Sequence, residues 1–373
     1  MLRDPDPLPA AIRDPAPYRA LTRPRGARWI EVLDQRALPH ARVSIRINDA
    51  GMAAQAIRGM WIRGAPLIGV VGAYGLALAL DADPTDAELA RAHAALDATR
   101  PTAVNLRWAL DRVRDAVRSL PPDARADAAW CEADALAAED VALCRAIGDH
   151  GLALLTAIAA RHSGPVNVMT HCNAGALATC GWGTATAPVF LAHASGIPVH
   201  VYVSETRPRL QGAALTAWEL AERGVPHTVF VDGASGHLLA RGGIDIVFVG
   251  ADRVAANGDV CNKIGTYDKA LAARDNDVPF YAAVPSPTLD FALAAGTAIP
   301  IEMRDAGEVL RIAGRDDYGQ VTQVSTAHHG ARAVNPAFDV TPARLVTGLV
   351  TERGVVDATA TALAAAFPEQ VRR

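Results

Sequence analysis

The chain has 373 residues and no CxxC pair, and its five cysteines (Cys131, Cys144, Cys172, Cys180 and Cys261) are odd in number and lack paired metal-ligand spacing. That argues against a disulfide framework or a zinc ribbon and leaves free thiols in a reducing compartment, with no metal expected. There is no excess of one charge, since 36 Lys and Arg stand against 40 Asp and Glu for a formal net charge of −4. A nucleic-acid partner therefore gets no electrostatic support. The first residues, MLRDPDPLPAAIRDP, mix charges with prolines and lack the apolar core of a secretory signal, so a cytoplasmic location is expected. No internal repeat or low-complexity linker is apparent. GxxxxGK[ST], HExxH and GxSxG are missing, and no GxGxxG follows a strand. Nucleotide hydrolysis, zinc proteolysis, a serine-hydrolase elbow and dinucleotide chemistry thus lack their signatures.

One stretch could be mistaken for a membrane span, the uncharged run Gly64 to Leu80 (GAPLIGVVGAYGLALAL). It is short, glycine interrupts it, and Arg63 and Asp81 bound it, so it reads as a helix buried in a large domain, with no membrane partner.

What is present is material for a large core: half the residues are hydrophobic and one fifth charged. At this length two domains are expected. The first third reads as helical, with INDAGMAAQAIRGM, GVVGAYGLALAL, TDAELARAHAALDAT and VNLRWALDRVRDAV spaced apolar every three to four residues. Asp83-Pro84-Thr85 and Arg100-Pro101-Thr102 look like breaks, and the later part of an alanine-rich stretch ending at His162 reads as one long helix leading onward. The boundary is placed near residue 130, giving domains 1–130 and 131–373. From Pro165 the pattern changes to PVNVMTH, PVHVYVSE, HTVFVD, IDIVFVGA and PFYAAVP, short β-branched or aromatic runs separated by helical lengths. Such alternation implies βαβ units and a mostly parallel sheet, hence an α/β fold with a helical amino-terminal domain. Gly164 to Ser204 holds no Asp, Glu, Lys or Arg, which suits a strand, a helix and a second strand buried in that sheet.

In open parallel sheets ligands bind beyond the carboxyl ends of the strands, so the residues after each run are the candidates. After VNVMT comes His171-Cys172-Asn173-Ala174-Gly175, expected to turn into a helix whose N–H groups bind an anion and ease ionisation of a thiol. A free cysteine is more often a small buried hydrophobe, and on the residues alone that reading stays open for Cys172. After VYVS stands the polar cluster Glu205-Thr206-Arg207-Pro208-Arg209-Leu210-Gln211-Gly212. After DIVFVG comes Ala251-Asp252-Arg253, where Asp252 is either a desolvated acid of raised pKa or a helix cap or ion-pair partner of Arg253. Arg63-Gly64-Ala65-Pro66 combines a guanidinium fork with backbone donors, as a phosphate site requires, though an arginine can also mark the solvent boundary of an apolar segment. The residues alone lead to a two-domain α/β protein that binds a small phosphorylated ligand.

RGAPLIGVVGAYG, RPTAVNLRWA, THCNAGALAT, ETRPRLQGAALTAWEL, GADRVAANGDVCNKIGTY and NPAFDVTP, in this order, resemble the successive signatures of methylthioribose-1-phosphate isomerases. The wider superfamily includes ribose-1,5-bisphosphate isomerases and regulatory subunits of the initiation-factor exchange complex. The resemblance implies a helical domain followed by a Rossmann-like domain, a homodimer, and conversion of 5-methylthioribose 1-phosphate to 5-methylthioribulose 1-phosphate in methionine salvage without a cofactor. It implies Cys172 and Asp252 as the catalytic pair and Arg63, Gly64, Ala65, Arg100, Gln211, Asn262 and Lys263 as the substrate-contacting set. Two segments depart from the pattern: VDGASGHLLARGG is a loose match, and THCNAG carries alanine where threonine is frequent. The deoxyribose 1-phosphate analogue is an additional expected substrate, and a non-catalytic subunit binding a sugar phosphate or nucleotide is the alternative.

Overall fold

The computed structural model describes residues 16–100, 103–161 and 163–371; the opening residues, Pro101 and Thr102 of the second expected break, and His162 lie outside them. Three short strands come first, β1 (Leu21–Thr22), β2 (Ile30–Leu33) and β3 (Ser44–Ile47), paired antiparallel. The helical reading of the first third missed this small sheet, because four-residue runs offer too few periods to be seen. Four helices then follow close to expectation: α1 (Ala50–Arg58), α2 (Ala65–Ala82), α3 (Asp86–Asp97) and α4 (Val104–Val117). Local signals set their ends. Asp49 accepts the Met52 N–H at 2.7 Å, and Thr85 accepts the Glu88 N–H at 3.2 Å in a T-x-x-E box.

Helix α2 is the uncharged run, buried along almost its whole length at the centre of the amino-terminal core. Its glycines let neighbours approach closely: a Cβ on Gly72 would stand 2.5 Å from Leu106 Cδ1, and one on Gly69 2.8 Å from the Asn105 carbonyl. Helix α5 (Pro122–Ala159) runs 38 residues, ~57 Å at 1.5 Å per residue. Residue 130 lies inside it, where Trp130 Nε1 donates to Asp81 Oδ2 at 2.7 Å. Leu136, Val141 and Cys144 join the amino-terminal core, whereas Ile147 and Leu155 join the core beneath the large sheet.

The remainder alternates as the sequence implies: β4 (Val166–Thr170), α6 (Ala187–Ala194), β5 (Val199–Ser204), α7 (Ala217–Glu222), β6 (His227–Phe230), α8 (Ser235–Ala240) and β7 (Ile246–Val249). There follow β8 (Arg253–Ala255), β9 (Val260–Lys263), α9 (Thr266–Asp275), β10 (Phe280–Ala283), β11 (Leu289–Asp290), β12 (Arg311–Arg315), β13 (Val321–Ser325), β14 (Phe338–Thr341), β15 (Gly348–Thr351) and β16 (Gly354–Val356). The large sheet has the order β16-β15-β10-β7-β4-β5-β6, parallel throughout except for edge strand β16. The chain leaves β4 toward β5 and β6, then returns to the other side of β4 as β7. The switch point therefore lies between β4 and β7, and a crevice opens beyond their carboxyl ends. A second sheet, β11-β8-β9-β14, stands beside it, and β12 with β13 forms an exposed hairpin.

Candidate active site

Cys172 follows β4 and Asp252 follows β7, so the two candidate acids stand at the switch point. The expected helix does not begin at Cys172. A single turn at Ala176–Ala178 intervenes, and α6 starts only at Ala187. Threonine side chains take up backbone groups that a helix would use: Thr179 Oγ1 donates to the Gly181 carbonyl at 2.8 Å, and Thr186 Oγ1 to the Trp182 carbonyl at 3.1 Å. Cys172 instead adopts φ 63°, a left-handed conformation uncommon for a residue with a Cβ. Two buried threonines hold it there. The Cys172 N–H donates to Thr206 Oγ1 at 2.8 Å, and Thr216 Oγ1 donates to the Cys172 carbonyl at 2.6 Å.

Around this pair a cleft of about 660 Å³ is lined by Arg63, Gly64, Ala65, Arg100, Cys172, Gln211, Asp252, Asn262 and Lys263, which is every site residue expected from sequence. They come from separate elements. Arg63 and Gly64 precede α2, Ala65 opens it, Gln211 stands where the chain packs back on β5, and Asn262 and Lys263 end β9. Gly212 makes that return possible, since a Cβ there would fall 1.8 Å from the Ser204 carbonyl oxygen.

The basic groups are held by the protein. Arg63 donates to Asn173 Oδ1 at 2.5 Å and to the Asn173 carbonyl at 2.6 Å. Arg100 reaches Glu302 at 3.3 Å, and Lys263 donates to the Ala337 carbonyl at 2.8 Å with its ammonium 4.4 Å from the Phe338 ring centre. Gln211 Oε1 and Arg100 Nε are buried without a protein partner, as suits groups awaiting a polar ligand.

Burial pushes the Asp252 carboxyl above its ordinary range, against the pull of Lys263, Arg100 and Arg63. Burial likewise pushes the Cys172 thiol up, with Arg63 and Lys263 pulling it down. Lys263 is shifted downward by its own burial. The helix-start argument for an easily ionised thiol therefore does not hold: desolvation outweighs the nearby cations. Nor is Asp252 a helix cap or the partner of Arg253, because a strand follows it and Arg253 turns to Asp290 at 3.7 Å. Burial drives His171 down to about 3, so its ring is neutral and Nε2 donates to the Ile264 carbonyl at 2.8 Å.

Sequence reasoning assigned no part to Asn173, Thr206, Thr216, Glu219 or Glu302, nor to Pro285 and Phe338 of the cleft wall. Strand-end logic points to Pro285, which follows β10. Glu302 lies in an irregular segment without any pattern to betray it. An adjoining, mostly apolar groove, lined by Val70, Trp108, Leu136, Leu143 and Pro287 together with Asn105, Glu139 and Asp140, shares Pro66 and Pro285 with the cleft.

Residues 61–358 match the initiation factor 2 subunit family. A methylthioribose-1-phosphate isomerase of Methylocella silvestris is 61% identical over 358 residues, covering 95% of this chain and 98% of that protein. Among solved structures, the 5-methylthioribose 1-phosphate isomerase of Pyrococcus horikoshii superposes with a TM-score of 0.81 at 36% identity, covering 94% of this chain and 96% of the other. The translation initiation factor eIF-2B subunit delta from A. fulgidus gives a TM-score of 0.76 at 34% identity, over 95% and 99% of the two chains. The fold is thus shared by both branches, and the higher identity lies on the isomerase side.

Proposed function

The chain belongs to the initiation factor 2 subunit family and, within it, to the methylthioribose-1-phosphate isomerases, and from that premise we propose that its switch-point cleft converts 5-methylthioribose 1-phosphate to 5-methylthioribulose 1-phosphate. The observation that carries the assignment of residues is the convergence of Cys172, Asp252 and three cations in one cleft. Phosphate on the anomeric oxygen prevents simple opening of the ring to an aldehyde, so an acid must protonate the ring oxygen. Asp252, whose carboxyl burial pushes above its ordinary range, is that acid. Cys172, as thiolate, then takes the proton from carbon 2, giving an enol that is reprotonated at carbon 1 as its carbon-2 hydroxyl releases its proton. Arg63, Arg100 and Lys263, with backbone N–H groups at Gly64 and Ala65, hold the phosphate. The apolar side of the adjoining groove, at Val70, Leu136 and Leu143, receives the methylthio group. On this reading the enzyme works as a cytoplasmic homodimer and needs no metal or organic cofactor.

One observation favours a second route. A thiol pushed up by burial is harder to ionise, and a hydride shift from carbon 2 to carbon 1 would use Cys172 without ionising it. Substrate deuterated at carbon 2 separates the routes: proton transfer releases label to solvent, and hydride transfer retains it at carbon 1.

The test of the reading is a substrate panel without added metal or nucleotide. Turnover is expected with 5-methylthioribose 1-phosphate, detectable turnover with 5-deoxyribose 1-phosphate, and little with ribose 1,5-bisphosphate, whose second phosphate would be desolvated against apolar walls. Preference for the bisphosphate would assign the chain to another branch. Absence of turnover on all three with binding intact would favour a regulatory subunit.

A further inference from the structure

Glu219 lies on α7, fully buried, and the reaction assigns it no part. A buried carboxylate must be hydrogen-bonded or it destabilises the fold. Its partners come from separate parts of the chain. Oε2 accepts the Tyr18 hydroxyl at 2.6 Å; Oε1 accepts Asn173 Nδ2 at 2.6 Å and the Leu177 N–H at 3.3 Å. The turn after Cys172 is seated directly on it, since a Cβ on Gly175 would lie 2.3 Å from Oε1. With its amide nitrogen fixed in this way, and also 3.1 Å from Thr216 Oγ1, Asn173 must present its oxygen on the opposite side. There Oδ1 and the Asn173 carbonyl receive two donors of the Arg63 guanidinium. Tyr18 precedes the first strand and lies outside the residues 61–358 that match the family.

We propose that Glu219 is a positioning residue for Arg63, acting through Asn173, and that Tyr18 completes the same unit, so that the segment before the first sheet is part of the phosphate site. The proposal rests on the isomerase reading only in taking phosphate as the ligand of Arg63. A guanidinium fork binds phosphate well only when its plane is set in advance, and a side chain of this length is otherwise free to rotate. Because the phosphate is present throughout the reaction, loss of that setting appears mainly in KM.

The experiment is a double-mutant cycle, read by KM and kcat and, separately, by inorganic phosphate affinity from calorimetry. Glu219→Ala is expected to raise KM on the order of 10-fold, the scale of outer-sphere orienting partners, with a smaller change in kcat. Glu219→Gln should largely restore it, since its oxygen still accepts from Asn173 and its amide donates to the Tyr18 oxygen. Tyr18→Phe should move KM in the same direction by less. In an Arg63→Ala background, Glu219→Ala should add almost nothing. Additive losses in the double variant, or an unchanged KM in folded Glu219→Ala, overturn the proposal. If Glu219→Ala does not fold, Tyr18→Phe with Arg63→Ala forms the same cycle. Should the wild-type chain turn over none of the panel, the isomerase reading fails, and the phosphate affinities still decide this one.

Discussion

Gly64→Ala strikes where the two halves of the cleft meet. Gly64 has φ 98° and ψ 136°, a region that side chains rarely adopt, and a Cβ there would lie 2.5 Å from the Cα, Cβ and O atoms of Ala178. The backbone conformation alone costs about 1–3 kcal/mol. Normal contact lies near 3.5 Å, so one of the two backbones must retreat by about 1 Å, with a further ~1–3 kcal/mol of overpacking. Neither backbone is idle: Gly64 follows Arg63, and Ala178 belongs to the turn that begins at Cys172. Separation by ~1 Å therefore displaces the phosphate fork from the thiol, which at that magnitude costs on the order of 100-fold in turnover. Gly242→Ala is the control, because its φ is 68° and no atom lies within 4 Å of the added Cβ. Both variants are assayed for melting temperature and for kcat/KM. Gly242→Ala should lose some stability and keep its activity, whereas folded Gly64→Ala should lose both. Gly64→Ala with near-normal kcat/KM would refute the idea that contact of these two turns sets the geometry of the site.

Cys172→Ser and Asp252→Asn should each fold normally and lose at least about 100-fold in turnover; near-normal turnover in either, with folding verified, removes that residue from the mechanism. Arg100→Ala should raise KM more than it lowers kcat, and an unchanged KM would place Arg100 outside the phosphate site. Asp140, where burial lifts the carboxyl to about 7 from 3.8, holds its proton more tightly folded than unfolded, so its contribution to stability is complete below pH 3.8 and is lost as pH rises through 7. Between those values stability should fall more steeply with pH in the wild type than in Asp140→Asn, by a few kcal/mol at most; parallel denaturation curves would contradict this.

The helices and the central strands were legible because each buries a face or a whole run, and that demand writes a period into the sequence. Helix α2 was visible as an uncharged stretch, and β4, β5, β7 and β10 as β-branched or, for β10, aromatic runs of five residues or so. The small sheet of β1 to β3 was not, nor was the irregular chain between Cys172 and Ala187. There the structure depends on threonine hydroxyls bonded to nearby backbone and on left-handed residues such as Trp182, neither of which leaves a period. The site divides the same way. Its acids and arginines were found by strand-end logic and motif resemblance, but Glu219 and Tyr18 stand 201 positions apart and meet only in the folded chain.

The charge balance of the cleft ties its binding and its chemistry to one set of groups. Arg63, Arg100 and Lys263 pull the Asp252 proton off, and burial by the surrounding elements pushes it back on, with burial the larger effect. In the proposed site a bound phosphate would draw on the same three cations and so weaken their pull, moving the Asp252 carboxyl further up when a ring oxygen is at hand. For Cys172 the identical effect runs against ionisation, because phosphate also offsets Arg63 and Lys263, the two cations that lower the thiol. One electrostatic arrangement therefore suits an acid at Asp252 and opposes a resting thiolate at Cys172. The proton on carbon 2 can go to sulfur only if the thiol gives up its own proton within the closed complex, whereas a hydride shift makes no such demand. The fate of a carbon-2 label is consequently a direct reading of how far burial, and not charge, governs the end of β4.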